Sequence, residues 1–286
     1  MTIFLNGEWM PAQDAQISVF DRGFLFADGV YEVIPVYRGK PFHLQQHFTR
    51  LSRSLAAIDL DNPLEENKWF DAIEKLIAEN GAGNMSIYLQ ISRGVSSVPR
   101  DHQFPEVFTP TFFMASHPIK PLTDNPDKAA IKAILKDDIR WGRCDIKSVS
   151  MLGNAMLRQS AVSSGAQEAL LMRNGHMTEG AASNLFIVQN GEIMTPPEGP
   201  EILSGITRAT VLSLAKEFGI QTHEAPLPAN TITQADEVWI SSSTKGIAPI
   251  IQIDDIPIGN GAPGPVWKKM QHAYMALVTQ MTSHDE

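Results

Sequence analysis

One cysteine, Cys144, stands in a chain of 286 residues, so no disulfide forms within it and no thiolate-rich metal cage can be built. The eight histidines are scattered. His43 and His47 lie four apart on an expected helix, but the intervening Glu of a zinc-protease helix is missing, and a surface or packing role is the plainer reading. No metal is expected. Long apolar runs are missing too: none approaches the roughly 18 residues of a membrane span, and Met1–Trp9 lacks the basic start and apolar stretch of a signal peptide. Basic residues are in deficit, 23 Lys plus Arg against 32 Asp plus Glu for a net charge of -9, which disfavours nucleic acid as a partner. Neither a P-loop nor a dinucleotide fingerprint occurs, nor a fixed-period repeat.

What is present is ordinary globular material. Hydrophobic residues make up 43% and charged residues 19%, and the length fits about two domains at roughly 100 to 200 residues each. A soluble cytoplasmic protein acting on a small molecule is the expectation.

Strand and helix signals mix along the chain. Asn6-Gly7, Asn174-Gly175 and Asn190-Gly191 mark hairpins, the first between strands Thr2–Leu5 and Glu8–Pro11. Val30–Tyr37 is a β-rich run, and further strands are expected at Met85–Ser92, Thr111–Ser116, Ala130–Leu135, Val238–Ser242 and Ile247–Ile253. Apolar spacing predicts helices over His43–Ala57, Pro63–Asn80 (capped by Asn62), Met151–Ser164, Thr207–Phe218 and a last one after Pro263-Gly264-Pro265. Pro118, Pro121 and Pro126 suit a linker. We therefore expect a mixed α/β (α+β) chain with a small N-terminal α/β domain over 1–117, a linker over 118–127 and a larger C-terminal α/β domain over 128–286.

Three segments could carry chemistry. Lys147, in Arg143-Cys144-Asp145-Ile146-Lys147-Ser148, falls between an expected strand and a helix, where scaffolds present reactive groups; taken alone, it reads as a solvated surface charge. Leu203-Ser204-Gly205-Ile206-Thr207-Arg208 opens a helix whose first amides could hold a phosphate, or which Ser204 or Thr207 simply caps. Thr178-Glu179-Gly180 follows a hairpin, and its carboxylate reads as a turn residue facing water.

Taken in order, Asp28-Gly29-Val30-Tyr31-Glu32, Gln46-His47-Phe48-Thr49-Arg50-Leu51, Lys147-Ser148, Thr178-Glu179-Gly180 with Ser183-Asn184, and Gly205-Ile206-Thr207-Arg208 resemble the fold-type IV (class IV) pyridoxal-phosphate aminotransferases. The resemblance covers nearly the whole chain. Arg100-Asp101-His102-Gln103-Phe104-Pro105 and the approach Asp138-Ile139-Arg140-Trp141 to Lys147 bring it nearest to the D-amino acid aminotransferases.

The resemblance implies a pseudo-barrel-like C-terminal domain that binds pyridoxal 5'-phosphate. Lys147 would bond the cofactor aldehyde and carry the proton, and Glu179 would face the pyridine nitrogen. Arg50, the amides of Ile206 and Thr207, the Thr244 hydroxyl and Ser183 would hold the rest of the cofactor, with Arg50 the larger phosphate anchor. Tyr31, Arg100 and His102 would bind the substrate carboxylate, the last two across a homodimer. The implied reaction passes an amino group from a D-amino acid, such as D-alanine or D-glutamate, to a 2-oxo acid. Branched-chain L-amino acid aminotransferase and 4-amino-4-deoxychorismate lyase are alternatives on the same fold, and a non-catalytic ligand-binding protein is the alternative of another class.

Overall fold

A computed structural model describes residues 1–97 and 100–283. The chain divides into two compact units, the first holding Met1–Lys120, Ile146–Ser150 and the residues from Met281, the second holding Pro121–Asp145 and Met151–Gln280. The main passage from one to the other lies between Lys120 and Pro121, among the prolines.

In the first unit a six-stranded antiparallel sheet runs in the order Glu8–Pro11, Thr2–Leu5, Phe108–Pro118, Met85–Ser96, Gly29–Tyr37, Lys40–Pro41. Asn6 and Gly7 take positive φ of 50° and 92°, the geometry a tight two-residue hairpin needs. Helices Leu44–Ala56 and Glu66–Glu79 bury Phe48, Leu51, Trp69, Ile73 and Leu76 with Ile34, Ile87 and Leu89 of the sheet in one core.

Two local expectations shift. The second helix begins at Glu66 rather than at Pro63, because the Asn62 side chain accepts from Leu64 N and Trp69 Nε1 and so closes a separate turn ahead of it. The paired strands expected at Met85–Ser92 and Thr111–Ser116 run further, since an irregularity between Ser92 and Val95 lets the ladder resume at Val95 and Thr109.

The second unit is built on a ten-stranded mixed sheet. Ile131–Asp137 lies parallel to both Gly246–Ile253 and Glu168–Arg173, while the hairpins Glu168–Arg173 with His176–Gly180 and Asn184–Gln189 with Glu192–Thr195 are antiparallel. His176–Gly180 and Asn184–Gln189 stand far apart in the strand order, yet Asn184 Nδ2 donates to Glu179 Oε2 at 3.0 Å. The sheet therefore curls upon itself as an incomplete barrel. Helices Leu152–Ser163, Ile206–Glu217 and Pro265–Thr282 belong to this unit or end it. Gly165 and Gly219, with φ of 74° and 68°, follow the first two, as glycine does where a helix turns left-handed to stop.

Candidate active site

Alternation along Gly29–Tyr37 sends Val30, Glu32, Ile34 and Val36 to one face and Tyr31 to the other. Glu32 thereby meets the helix Leu44–Ala56, where His47, Arg50 and Ser54 recur at helical spacing and are buried. Arg50 donates from Nε and Nη2 to the two Glu32 oxygens, both at 2.8 Å, and His47 Nδ1 lies 2.7 Å from Glu32 Oε2. Burial pushes the Glu32 carboxyl up, but Arg50 and then His47 outweigh it and hold it well below the usual carboxylate range. His47 is lowered, chiefly by burial, with Arg50 and Lys147 adding to the effect against the pull of Glu32. His47 is thus a buried network member rather than a surface residue.

Lys147 sits beside this network in the first unit. Its segment adds to the free edge of Gly29–Tyr37 through the antiparallel bridge Val30–Ser148. Tyr31 N donates to Lys147 O at 2.9 Å and Lys147 N to Ser54 Oγ at 3.3 Å, so the backbone is pinned from strand and helix. The ammonium lies 4.2 Å from the Tyr31 ring centroid, a cation–π distance. Tyr31 stacks on Tyr88 at 5.6 Å, and burial, with Tyr31 close by, pushes the Tyr88 phenol up to about 12.

The loop residues of this unit gather on Phe26: the Arg100 guanidinium lies 4.7 Å from its ring centroid and the His102 ring 5.3 Å. Both residues are exposed.

In the second unit, Glu179 overturns the expectation of a turn carboxylate facing water. It lies on the strand His176–Gly180 and is 4% exposed. Arg140 Nη1 donates to its Oε1, and Asn184 Nδ2 and Leu203 N donate to its Oε2 at 3.0 and 3.1 Å. Arg140 is gripped in turn by Asp138 through Nε and Nη2 at 2.9 and 2.8 Å, and Asp138 also pairs with Arg173 at 3.2 Å. Because Arg140 is shared, burial wins at Glu179 and pushes its carboxyl up to about 7 against the pull of Arg140. Asp138, despite burial, is held below the usual range by Arg140 and Arg173.

Next to Glu179 the helix Ile206–Glu217 opens with Gly205 at its cap and no side-chain cap hydrogen bond. A Cβ on Gly205 would overlap the amide oxygen of Asn184, so glycine is what allows this helix start to approach. Ser241 pairs directly with Asn184 across the strands, on the same face. Its hydroxyl is buried without a hydrogen-bond partner, and a buried hydroxyl of this kind ordinarily finds one. Thr244 follows at the strand end, half-buried. Ser183 is already engaged, donating to Glu168 Oε2 at 2.9 Å.

These features fit pyridoxal phosphate. Uncapped first-turn amides, an unsatisfied hydroxyl and Thr244 suit a phosphate, while a buried carboxyl with both oxygens fixed suits a protonated ring nitrogen. The sequence points to Lys147, Glu179 and the helix start. It assigns no role to Arg140, Asp138, Glu32 or Asn184; Arg140 meets Glu179 across 39 residues and Arg50 meets Glu32 across 18, while the pair Asp138 and Arg140, two apart before the lysine, is the available signal. No group of three or more His, Cys, Asp or Glu side chains suited to a metal occurs among the described residues, and no helix there is long and apolar enough to cross a membrane.

Comparison with known proteins agrees with this chemistry. The family model "Amino-transferase class IV" matches residues 29–253. D-alanine aminotransferase of Bacillus licheniformis is 38% identical over 284 residues, covering 99% of each chain, and that of Staphylococcus haemolyticus 36% over 283 residues, covering 98% and 99%. Among solved structures, the Escherichia coli branched-chain amino acid aminotransferase superposes with a TM-score of 0.90 at 28% identity, covering 99% of this chain and 96% of the other. With the family model spanning most of both units, this chain belongs to the class IV aminotransferases.

Proposed function

We propose that the protein is a pyridoxal-phosphate aminotransferase that moves the amino group of a D-amino acid, of the D-alanine or D-glutamate type, to a 2-oxo acid such as 2-oxoglutarate. The observation that carries the D-specific reading is the gathering of Arg100 and His102 on Phe26: a guanidinium and an imidazole on one loop offer donors to a substrate carboxylate. The D-alanine aminotransferases of 36 to 38% identity support the same choice.

When bound, the cofactor supplies an aldehyde to carry the amino group and a pyridine ring to accept electrons released at the substrate Cα. Lys147 is the amine that tethers it and then moves the proton at Cα, its backbone fixed by Tyr31 and Ser54. Glu179 holds the proton on the ring nitrogen, with Arg140, Asn184 and Leu203 N fixing both of its oxygens. The amides of Ile206 and Thr207, the Thr244 hydroxyl and Arg50 bind phosphate, and Ser183 stands behind the site through Glu168. Glu32 orients Arg50 through two hydrogen bonds.

The reading extends to a cytoplasmic homodimer in which Arg100 and His102 serve the partner's substrate. Both are exposed in the single chain, and so are the large apolar residues Phe20, Phe24 and Val107 of the same unit, at 68 to 71%, a pattern of interaction surfaces. Mixing an Arg100→Ala protein with a Lys147→Ala protein restores activity on subunit exchange if the loop acts across the dimer; no recovery despite proven exchange places the loop in its own subunit's site.

A panel of D- and L-alanine, glutamate and leucine with 2-oxoglutarate tests the reaction. Turnover of the D-alanine and D-glutamate pairs is expected. Turnover confined to L-leucine would establish the branched-chain reading, which the superposed Escherichia coli fold favours.

A further inference from the structure

The chemistry assigned to Arg100 and His102 requires their loop to hold one shape, yet both side chains are exposed. The backbone beneath them is gripped by a buried cation. Arg22, 5% exposed, donates from Nη1 to Asp101 O at 2.7 Å and from Nη2 to His102 O at 3.4 Å. Its Nε donates to Asp28 Oδ2 at 2.8 Å, and Arg93 Nε reaches the same oxygen at 2.9 Å. Arg93, 1% exposed, covers the other end of the loop, its guanidinium 3.8 Å from the Phe104 ring centroid. It also donates to Asp59 O at 3.0 Å and Ile58 O at 2.5 Å.

Asp28 therefore joins two arginines, each touching the loop at a different place. Asp28 also precedes the strand Gly29–Tyr37 that presents Tyr31, and its carbonyl accepts from Arg93 N at 3.0 Å. The helix Arg22–Phe26 is fixed at its start, where Asp21 Oδ1 accepts from Gly23 N and Ser92 Oγ at 2.7 and 2.8 Å. The same helix carries Phe26, against which the Arg22 and Arg100 guanidinium carbons and the His102 ring all lie. Two buried cations on one carboxylate, aimed at main-chain carbonyls and a ring of a single loop, form a mount for that loop and not a stray surface pair.

We propose that Arg22 and Arg93, joined through Asp28, are positioning residues that set the shape of the Arg100–His102 loop and so determine how tightly a substrate carboxylate is held. The proposal rests on the reading that Arg100 and His102 bind that carboxylate. The clamp lies in the same chain as the loop, whichever subunit's substrate the loop serves.

Arg22→Met removes the clamp while leaving Asp28 paired with Arg93, and the carbonyls it frees belong to exposed residues. In the holoenzyme, Arg22→Met should raise KM for D-alanine about tenfold, the equivalent of one charge-assisted hydrogen bond, with kcat and the cofactor spectrum unchanged. Arg22→Lys should recover part of the loss. Combined with Arg100→Ala it should raise KM by clearly less than the product of the two single effects, since Arg100 is one of the two contacts the clamp sets. Additive effects, or an unchanged KM in Arg22→Met where Arg100→Ala raises it, would overturn the proposal. Hydrogen exchange supplies the second readout: Arg22→Met should speed exchange at the Asp101, His102 and Gln103 amides while the strand Gly29–Tyr37 stays protected. Unchanged loop exchange sinks the clamp. If Arg100→Ala leaves KM untouched, the carboxylate reading fails on its own, and loop exchange still decides whether Arg22 sets the loop.

Discussion

Tyr31 and Lys147 are joined twice: the Tyr31 amide donates to the Lys147 carbonyl at 2.9 Å, and the Lys147 ammonium lies 4.2 Å from the centre of the Tyr31 ring. The residue proposed to bind the substrate carboxylate thus also fixes the residue proposed to move the substrate proton. Tyr31→Phe keeps the ring under the amine and removes only the hydroxyl. It should raise KM for D-alanine about tenfold, as for one lost hydrogen bond to a charge, and leave kcat near that of the parent. Lys147→Ala should lose at least the roughly 100- to 10,000-fold contributed by a positioned acid–base group, and borohydride reduction of the parent should leave the cofactor on Lys147. An adduct on Lys245 would displace the assignment. Peptide mapping and steady-state kinetics decide both points.

Arg50 serves two masters. Arg50→Ala should weaken pyridoxal-phosphate binding, and it should also lower the Tm of the apoprotein, because Glu32 is left as a buried carboxylate with His47 alone. Breaking a buried pair costs about 3 to 5 kcal/mol. Glu32→Gln added to Arg50→Ala should recover part of the Tm without recovering cofactor affinity. Thermal denaturation of the apoproteins and a cofactor titration separate the two effects; an Arg50→Ala apoprotein as stable as the parent would show that the pair is not holding the helix to the strand.

The raised Glu179 carboxyl makes a pH-dependent prediction. Its folded value, about 7, lies above the ordinary 4.5, so the folded apoprotein binds this proton more tightly than the unfolded chain does. That contribution is full below about 4.5 and is lost as pH rises to about 7. Measured against Glu179→Gln, which cannot titrate, the parent apoprotein should therefore lose Tm progressively across this window. A constant difference between the two proteins from pH 4.5 to 7 would show that Glu179 keeps its ordinary proton affinity.

His43 works in the opposite sense. Burial first, and His47 second, lower it to about 4 from 6.5, so the unfolded chain takes up a proton that the folded protein refuses. Its contribution is present above 6.5 and is lost as pH falls toward 4. His43 has a φ of 56°, a conformation that asparagine tolerates, so His43→Asn tests the charge with little backbone cost. The variant should show a shallower decline of Tm between pH 6.5 and 4; an identical slope would remove His43 from the acid response.

What the sequence made legible was local or ordered along the chain. Asn174-Gly175 and Asn190-Gly191 turn where they should, with φ of 50°, 78°, 53° and 81°, because a tight hairpin depends on the two residues within it. The helix Leu44–Ala56 lies within one residue of its expected ends, since its buried positions recur with the helical period. The motif order led to Lys147 and Glu179. By itself Thr178-Glu179-Gly180 reads as a turn because the groups that enclose Glu179 include Arg140, thirty-nine residues away, and Leu203, twenty-four away. Arg22 carries no local signal for the same reason: its loop partners lie 79 and 80 residues further on. The edge strands Lys40–Pro41, Leu227–Pro228 and Ile256–Pro257 leave no mark in the sequence because two residues show no period.

The segment Ile146–Ser150 belongs to the first unit although the chain has by then entered the second. During synthesis the strands up to Phe108–Pro118 can leave the ribosome and pair, but the edge beside Val30 stays open until Ser148 has emerged to bridge it. If the first unit pairs its strands at that stage, it does so without Lys147, and the strand edge beside Val30 is open to other chains while the next stretch is translated. The residue proposed to carry the cofactor therefore reaches its place with the same short segment that covers that edge.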